Sequence, residues 1–140
     1  MMAHLAFLMA ALMIQQPGSS PSAATTLDYE YFKVKVQPIF LNKRQGNARC
    51  IVCHREGAGG FQLQPLPPDR TAWTEEESRR NFESASRKVV PGDPLNSRIC
   101  MHPLAEEAGG DPTHGGGKHW TSQDNPEWQI LADWVRGAKL

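Results

Sequence analysis

The chain has 140 residues, enough for one domain at most. Fifteen basic side chains balance fifteen acidic ones, and a net charge of zero argues against nucleic acid or an anionic membrane surface as partner. Twelve glycines and eleven prolines mean that much of the chain is loop, so any core must be small.

Residues 1–24 read as a secretory signal. Leu5 to Ile14 is a ten-residue apolar run, too short to span a bilayer. A loose Gln-Pro-Gly-Ser-Ser-Pro-Ser stretch follows, and Ser22-Ala23-Ala24 supplies small residues for cleavage. The start lacks Lys or Arg, and the competing reading is a disordered or anchoring tail. Cleavage would leave residues 25–140 as an exported, periplasmic domain with no stable membrane insertion.

The first predicted element runs from Asp28 to Gln45. Tyr29, Phe32, Val36, Ile39 and Phe40 recur at helical spacing, although Phe32 to Val36 also alternates as a strand would. Pro38 interrupts a helix but starts one well. The expectation is therefore a helix to Val36, a break, and a short turn toward Arg44. Asp28 to Glu56 carries six basic and three acidic residues, a bias that would steer an acidic partner or else be ordinary solvated surface.

The chain then reaches Cys50-Ile51-Val52-Cys53-His54. Two thiols three positions apart with an imidazole directly after them form the c-type haem attachment pattern. Each thiol adds across one vinyl group of a single porphyrin, and the histidine lies beneath the ring with a nitrogen on the iron. A zinc site would need four ligands at recognisable spacing, and no second Cys-x-x-Cys is present. A redox dithiol would need a βαβ setting that the flanks lack. One covalent haem c would supply the apolar centre that so loop-rich a chain needs.

Arg55 to Pro68 reads as irregular, with Gly57-Ala58-Gly59-Gly60 letting backbone approach a porphyrin and Phe61, Leu63 and Leu66 covering its edge. Gln64 to Pro68 is the expected source of a carbonyl for the second nitrogen of His54. Thr74-Glu75-Glu76-Glu77 is a capping box that opens a helix, with Trp73 and Phe82 as candidates for burial. Its basic residues Arg79, Arg80, Arg87 and Lys88 read as a solvated face, from which one could reach a haem propionate. A Pro91-Gly92-Asp93-Pro94 turn leads to a short helix from Leu95 to Met101. The last helix is capped by Asn125, begun by Pro126 and stopped by Gly137. Its apolar face, Trp128, Leu131, Trp134 and Val135, should pack on the N-terminal helix.

Three segments carry a resemblance: Val36-Gln37-Pro38-Ile39-Phe40 ahead of the haem motif, Val90-Pro91-Gly92-Asp93-Pro94 with Ser97, and Trp134-Val135-Arg136-Gly137-Ala138. With the motif they resemble the monohaem, class I-like cytochrome c domains of planctomycetes and acidobacteria over nearly all of residues 28–140. The resemblance implies an all-α cytochrome c fold, few short helices and long loops wrapped around one haem, with the terminal helices packed together. It implies thioethers at Cys50 and Cys53 and His54 as proximal iron ligand.

Those domains usually place a Met-Pro-Pro segment before the final helix, its methionine on the iron. Here the corresponding stretch is His114-Gly115-Gly116-Gly117-Lys118. Met101 is the one methionine after the signal segment, so the distal candidates are His114 first, His102 second, Met101 third and His119 last. Two imidazoles lower the reduction potential relative to His/Met ligation and leave no vacancy for substrate. The expectation is a low-potential electron carrier serving redox partner proteins, and not an enzyme. The alternatives are a sensor or peroxidatic domain with an open or labile sixth site, or a haem-bearing subunit of a larger assembly or homo-oligomer. Cys100, the third thiol, is read as buried, or else as an intermolecular disulfide.

Overall fold

A computed structural model describes residues 24–140, and the expected signal segment lies almost wholly outside them. The described chain is built of helices, with two isolated bridges and no strand. Five α-helical segments, α1 (Tyr29–Tyr31), α2 (Cys50–His54), α3 (Glu75–Ser86), α4 (Arg98–Met101) and α5 (Pro126–Val135), alternate with short 3-10 turns and long loops. Among the described residues no helix is long and apolar enough to cross a membrane.

No break occurs at Pro38. The helical path runs on through a π-helical stretch, Phe32–Val36, into a 3-10 stretch, Gln37–Leu41. Proline brings no N–H and its ring crowds the carbonyl four residues back. Widening the preceding turn, so that the Gln37 N–H reaches Phe32 O, shifts the ladder and lets the chain pass through the proline. The gain is a single buried stripe: Phe32, Val36, Ile39 and Phe40 are all 2 % exposed or less.

That stripe meets α5, as its apolar face requires. Trp128, Leu131, Trp134 and Val135 are all buried. The Trp134 ring lies 5.1 Å from Phe32 and 5.9 Å from Phe82, and its indole N–H donates to Asp28 O at 3.0 Å. Asn125 caps the helix by accepting the Glu127 N–H at 3.0 Å, and Gly137 ends it at φ +93°.

The capping box at Thr74 forms as expected, with Glu77 and Thr74 exchanging side-chain and backbone bonds. Arg70 adds two 2.8 Å bonds to Glu77. Chiefly through that guanidinium, and then the Thr74 N–H, the Glu77 carboxyl is held at about 2 instead of 4.5. A depressed folded value means stability that is whole above the unfolded value near 4.5 and drains as pH falls toward about 2. Glu77→Gln is expected to flatten the acid limb of stability across that window, as thermal unfolding at stepped pH would measure.

Trp73 is buried and Phe82 half-buried, but α3 turns a polar face inward as well. Ser78, Asn81 and Ser84 are buried, and each is satisfied. Gln37 Nε2 donates to Ser78 Oγ at 3.0 Å and Asn81 Nδ2 to Gln37 Oε1 at 3.3 Å. Ser84 Oγ and Asn81 Oδ1 accept the N–H groups of Gln62 and Gln64 at 2.8 and 2.7 Å. This network pins residues 61–64 to the helix. The helix expected from Leu95 to Met101 is split: a 3-10 turn, Pro94–Asn96, precedes an extended Ser97 and then α4. Ser97 Oγ accepts the Val90 N–H and donates to Asp93 O, which anchors the split.

Candidate functional site

Helix α2 arranges the motif. On a helix, positions i, i+3 and i+4 share one face, so Cys50, Cys53 and His54 all line one cavity of about 720 Å³, including its open mouth. Phe40, Phe61, Ile99, Trp120 and Leu131 give it apolar walls.

His54 Nδ1 lies 3.0 Å from Phe61 O, and the His54 carbonyl accepts the Leu63 N–H at 3.0 Å. The expected carbonyl from Gln64 to Pro68 is not the one used. Gly57, Gly59 and Gly60 take positive φ and turn the chain back early enough to bring Phe61 over the ring, while Gln64 O accepts the Trp73 indole N–H at 2.8 Å. A carbonyl only accepts, so Nδ1 carries the proton and Nε2 keeps a free lone pair. Burial, above all, moves the His54 pKa down, which keeps the imidazole neutral.

His114 stands across the cavity with its ring centre 6.3 Å from that of His54 and the planes 16° apart. Its Nδ1 is tied to Gly117 O, so Nε2 is again the free nitrogen. Burial likewise lowers its pKa. The loop needs its glycines: a Cβ at Gly117 would sit 2.6 Å from Asn47 Oδ1, and one at Gly116 3.3 Å from His114 Cε1. Lys118 rivets this loop, its Nζ donating to the carbonyls of His102 and Asp111.

His102 also lines the cavity, 5.0 Å from His114 between ring centres, with Nδ1 held by Asp111 Oδ2 at 3.0 Å. His119 is 5.5 Å from His114; burial pushes its pKa down to about 4, and its buried Nδ1 has no hydrogen-bond partner. Met101, on the neighbouring helical position to His102, is not among the lining side chains and packs against the apolar core. Cys100 is fully buried, its thiol pushed up to about 12 by burial.

A porphyrin fits this donor set on several counts. Two imidazoles bound to one metal from opposite sides have ring centres roughly 6 Å apart, from bonds of about 2 Å and a ring radius of about 1 Å set by its bond lengths. Arg49, Lys88 and Arg98 line the cavity and no carboxylate does, among the described residues, which suits a dianionic ligand. An orphaned buried nitrogen such as His119 Nδ1 costs about 1–3 kcal/mol unless something in the cavity partners it.

Sequence reading missed the clamp that ties the loop before α2 to α5. Arg44 Nε and Nη2 donate to Glu127 Oε2 at 2.8 and 2.6 Å, and Asn42 and Trp120 donate to the same carboxylate at 2.7 and 3.0 Å. Arg44 also binds Ile39 O and lies 3.9 Å from Cys50 Sγ. Burial raises the Glu127 pKa, but the bonds from Trp120, Asn42 and Arg44 outweigh it and the net shift is down. Only the spacing of Glu127 in the first turn of α5 hinted at a role. Glu127→Ala would strand a mostly buried guanidinium and is expected to cost about 3 kcal/mol in a denaturant titration.

The chain matches no family model, no curated protein and no solved structure.

Proposed function

We propose that this protein is an exported monohaem c-type cytochrome that passes single electrons between redox partners, with thioethers at Cys50 and Cys53 and axial imidazoles from His54 and His114. The observation that carries the reading is the pair of rings, 6.3 Å apart and nearly parallel, each with Nδ1 committed to a backbone carbonyl and Nε2 left free, in a cavity that both motif thiols line. The packing of Phe32 against Trp134, which joins the N-terminal helical path to α5, supports a class I-like cytochrome c arrangement. Haem c, when bound, supplies a one-electron iron couple, which two imidazoles bias toward the ferric form.

The residues of the chain do the rest. Phe61 O fixes the tautomer and orientation of His54, and Gly117 O does the same for His114. Phe40, Phe61 and Leu131 exclude water, which strengthens every electrostatic contact inside. Arg49, Lys88 and Arg98 line the cavity and would neutralise propionates. With His54 and His114 both engaged, a bound iron would have no vacancy for substrate, and the role would be that of a carrier and not of an enzyme.

An optical redox titration of the purified exported protein tests this. The expected result is one reversible one-electron transition at low potential, with no carbon monoxide binding to the reduced form at neutral pH. Stoichiometric carbon monoxide binding to the reduced form would overturn the carrier reading in favour of a gas- or peroxide-responsive site.

A further inference from the structure

Helix α3 reaches the candidate site through a single peptide unit. Segment 61–64 runs between α2 and α3, and its backbone groups bond to the two helices in turn, as successive N–H groups do along a strand. The Gln62 N–H donates to Ser84 Oγ at 2.8 Å and the Gln64 N–H to Asn81 Oδ1 at 2.7 Å, both on α3. On the α2 side, the Leu63 N–H donates to His54 O at 3.0 Å, and Phe61 O lies 3.0 Å from His54 Nδ1 as its acceptor. The Phe61 carbonyl and the Gln62 N–H belong to one planar peptide. Ser84 and His54 therefore hold the two ends of the same dipole. Donating its N–H polarises that peptide and makes its carbonyl a stronger acceptor, by about 10–30 % per bond. Ser78, Asn81 and Ser84 recur at a spacing of three on the buried face of α3, and Ser84 is 3 % exposed. Alanine would pack there as well and favours a helix more, so the hydroxyl is what the position uses.

We infer that Ser84 is a positioning residue that tunes the iron potential, by strengthening the bond between His54 Nδ1 and Phe61 O across the peptide they share. The inference rests on the haem reading above and deepens it. A better acceptor on Nδ1 makes Nε2 a more basic ligand, and a more basic ligand favours the ferric ion. Loss of the Ser84 hydroxyl therefore raises the potential.

The test is an optical redox titration of the haem-loaded protein as parent, Ser84→Ala, Ser84→Thr and Ser78→Ala. In Ser84→Ala the equilibrium should move about threefold toward the ferrous form, an upward shift of about 28 mV at about 59 mV per tenfold for one electron. Ser84→Thr keeps the hydroxyl and should stay within about 1.5-fold of the parent. Ser78→Ala is the structural control. Ser78 is as buried as Ser84, but its bond goes to Gln37 Nε2 and not to segment 61–64, so its loss should leave the potential in place even where it lowers thermal stability. An unmoved or lowered potential in Ser84→Ala, or an equal rise in Ser78→Ala, would overturn the tuning role. The parent gives a check that needs no variant: in NMR of the ferrous form, the Gln62 amide and His54 Nδ1 protons should exchange slowly with solvent, and fast exchange at either would overturn the role as well. Haem content read from the pyridine haemochrome of the same samples separates the two claims. A coloured protein whose potential ignores Ser84 sinks this inference alone, and a colourless one sinks the cofactor assignment and this inference with it.

Discussion

Replacing His114 by alanine is expected to turn a closed iron site into an open one. On the proposed reading, the His114 imidazole, on a loop held by Lys118 and Asn47, would fill the position opposite His54 in the parent. If that ligated state is about 99 % populated, removing it raises the apparent affinity for an added ligand about 100-fold, since the competing state disappears. Carbon monoxide should then bind the reduced variant stoichiometrically, and the bis-imidazole near-infrared magnetic circular dichroism band should be lost at neutral pH. His102→Ala should keep that band, because it is the His114 ring that lies 6.3 Å from His54 with the planes 16° apart, while the His102 ring stands edge-on beside His114. The reverse pattern, band kept in His114→Ala and lost in His102→Ala, would transfer the role to His102.

The double substitution Cys50→Ala/Cys53→Ala is expected to do the greatest damage. Both thiols lie on the cavity face of α2, and without them nothing ties a porphyrin covalently to the chain. The cavity walls, Phe40, Phe61, Ile99 and Leu131, would then face water or collapse on one another. The cost should reach roughly 5 kcal/mol or more, comparable to the entire stability of a small domain. A denaturing gel stained for haem peroxidase activity should be blank, and thermal unfolding should begin near room temperature. Cys100→Ala is the matched control. Its thiol is fully buried away from the cavity and pushed up to about 12, so the variant should keep its haem, and the parent should resist alkylation at Cys100 until unfolded. Haem stain surviving in the double variant, or lost in Cys100→Ala, would contradict this division of the three thiols.

The candidate site was largely legible because its chemistry is local. Cys50, Cys53 and His54 need only a helical turn to share a face, and a turn is what five consecutive residues can specify alone. The ends of α3 and α5 were legible for the same reason, since Thr74, Glu77, Asn125 and Gly137 act within a few residues of themselves. The distal side was partly legible. His114 in its glycine run pointed to close approach, but four imidazoles near one cavity cannot be ranked by spacing, and their separation in space comes from Lys118 and Asp111.

What stayed hidden depends on pairs distant in the chain. Gln37, Ser78 and Asn81 are polar letters that any periodicity argument assigns to the surface, yet they close a network inside and so hold Gln64 and the Phe61 segment against α3. Arg44 and Glu127 stand far apart in sequence, and only the fold makes them partners. The passage through Pro38 depended on a π turn, a rare conformation that no residue type announces. The choice of Phe61 O over a carbonyl from Gln64 to Pro68 followed from where three glycines reverse the chain, a matter of dihedral angles more than composition.

The most direct test of the central claim is the intact mass of the protein after export from a bacterium supplied with the cytochrome c maturation machinery. A mass equal to the processed polypeptide plus one haem, with a pyridine haemochrome band at the position for two saturated vinyls, is the predicted result. A colourless protein with the mass of polypeptide alone would contradict it.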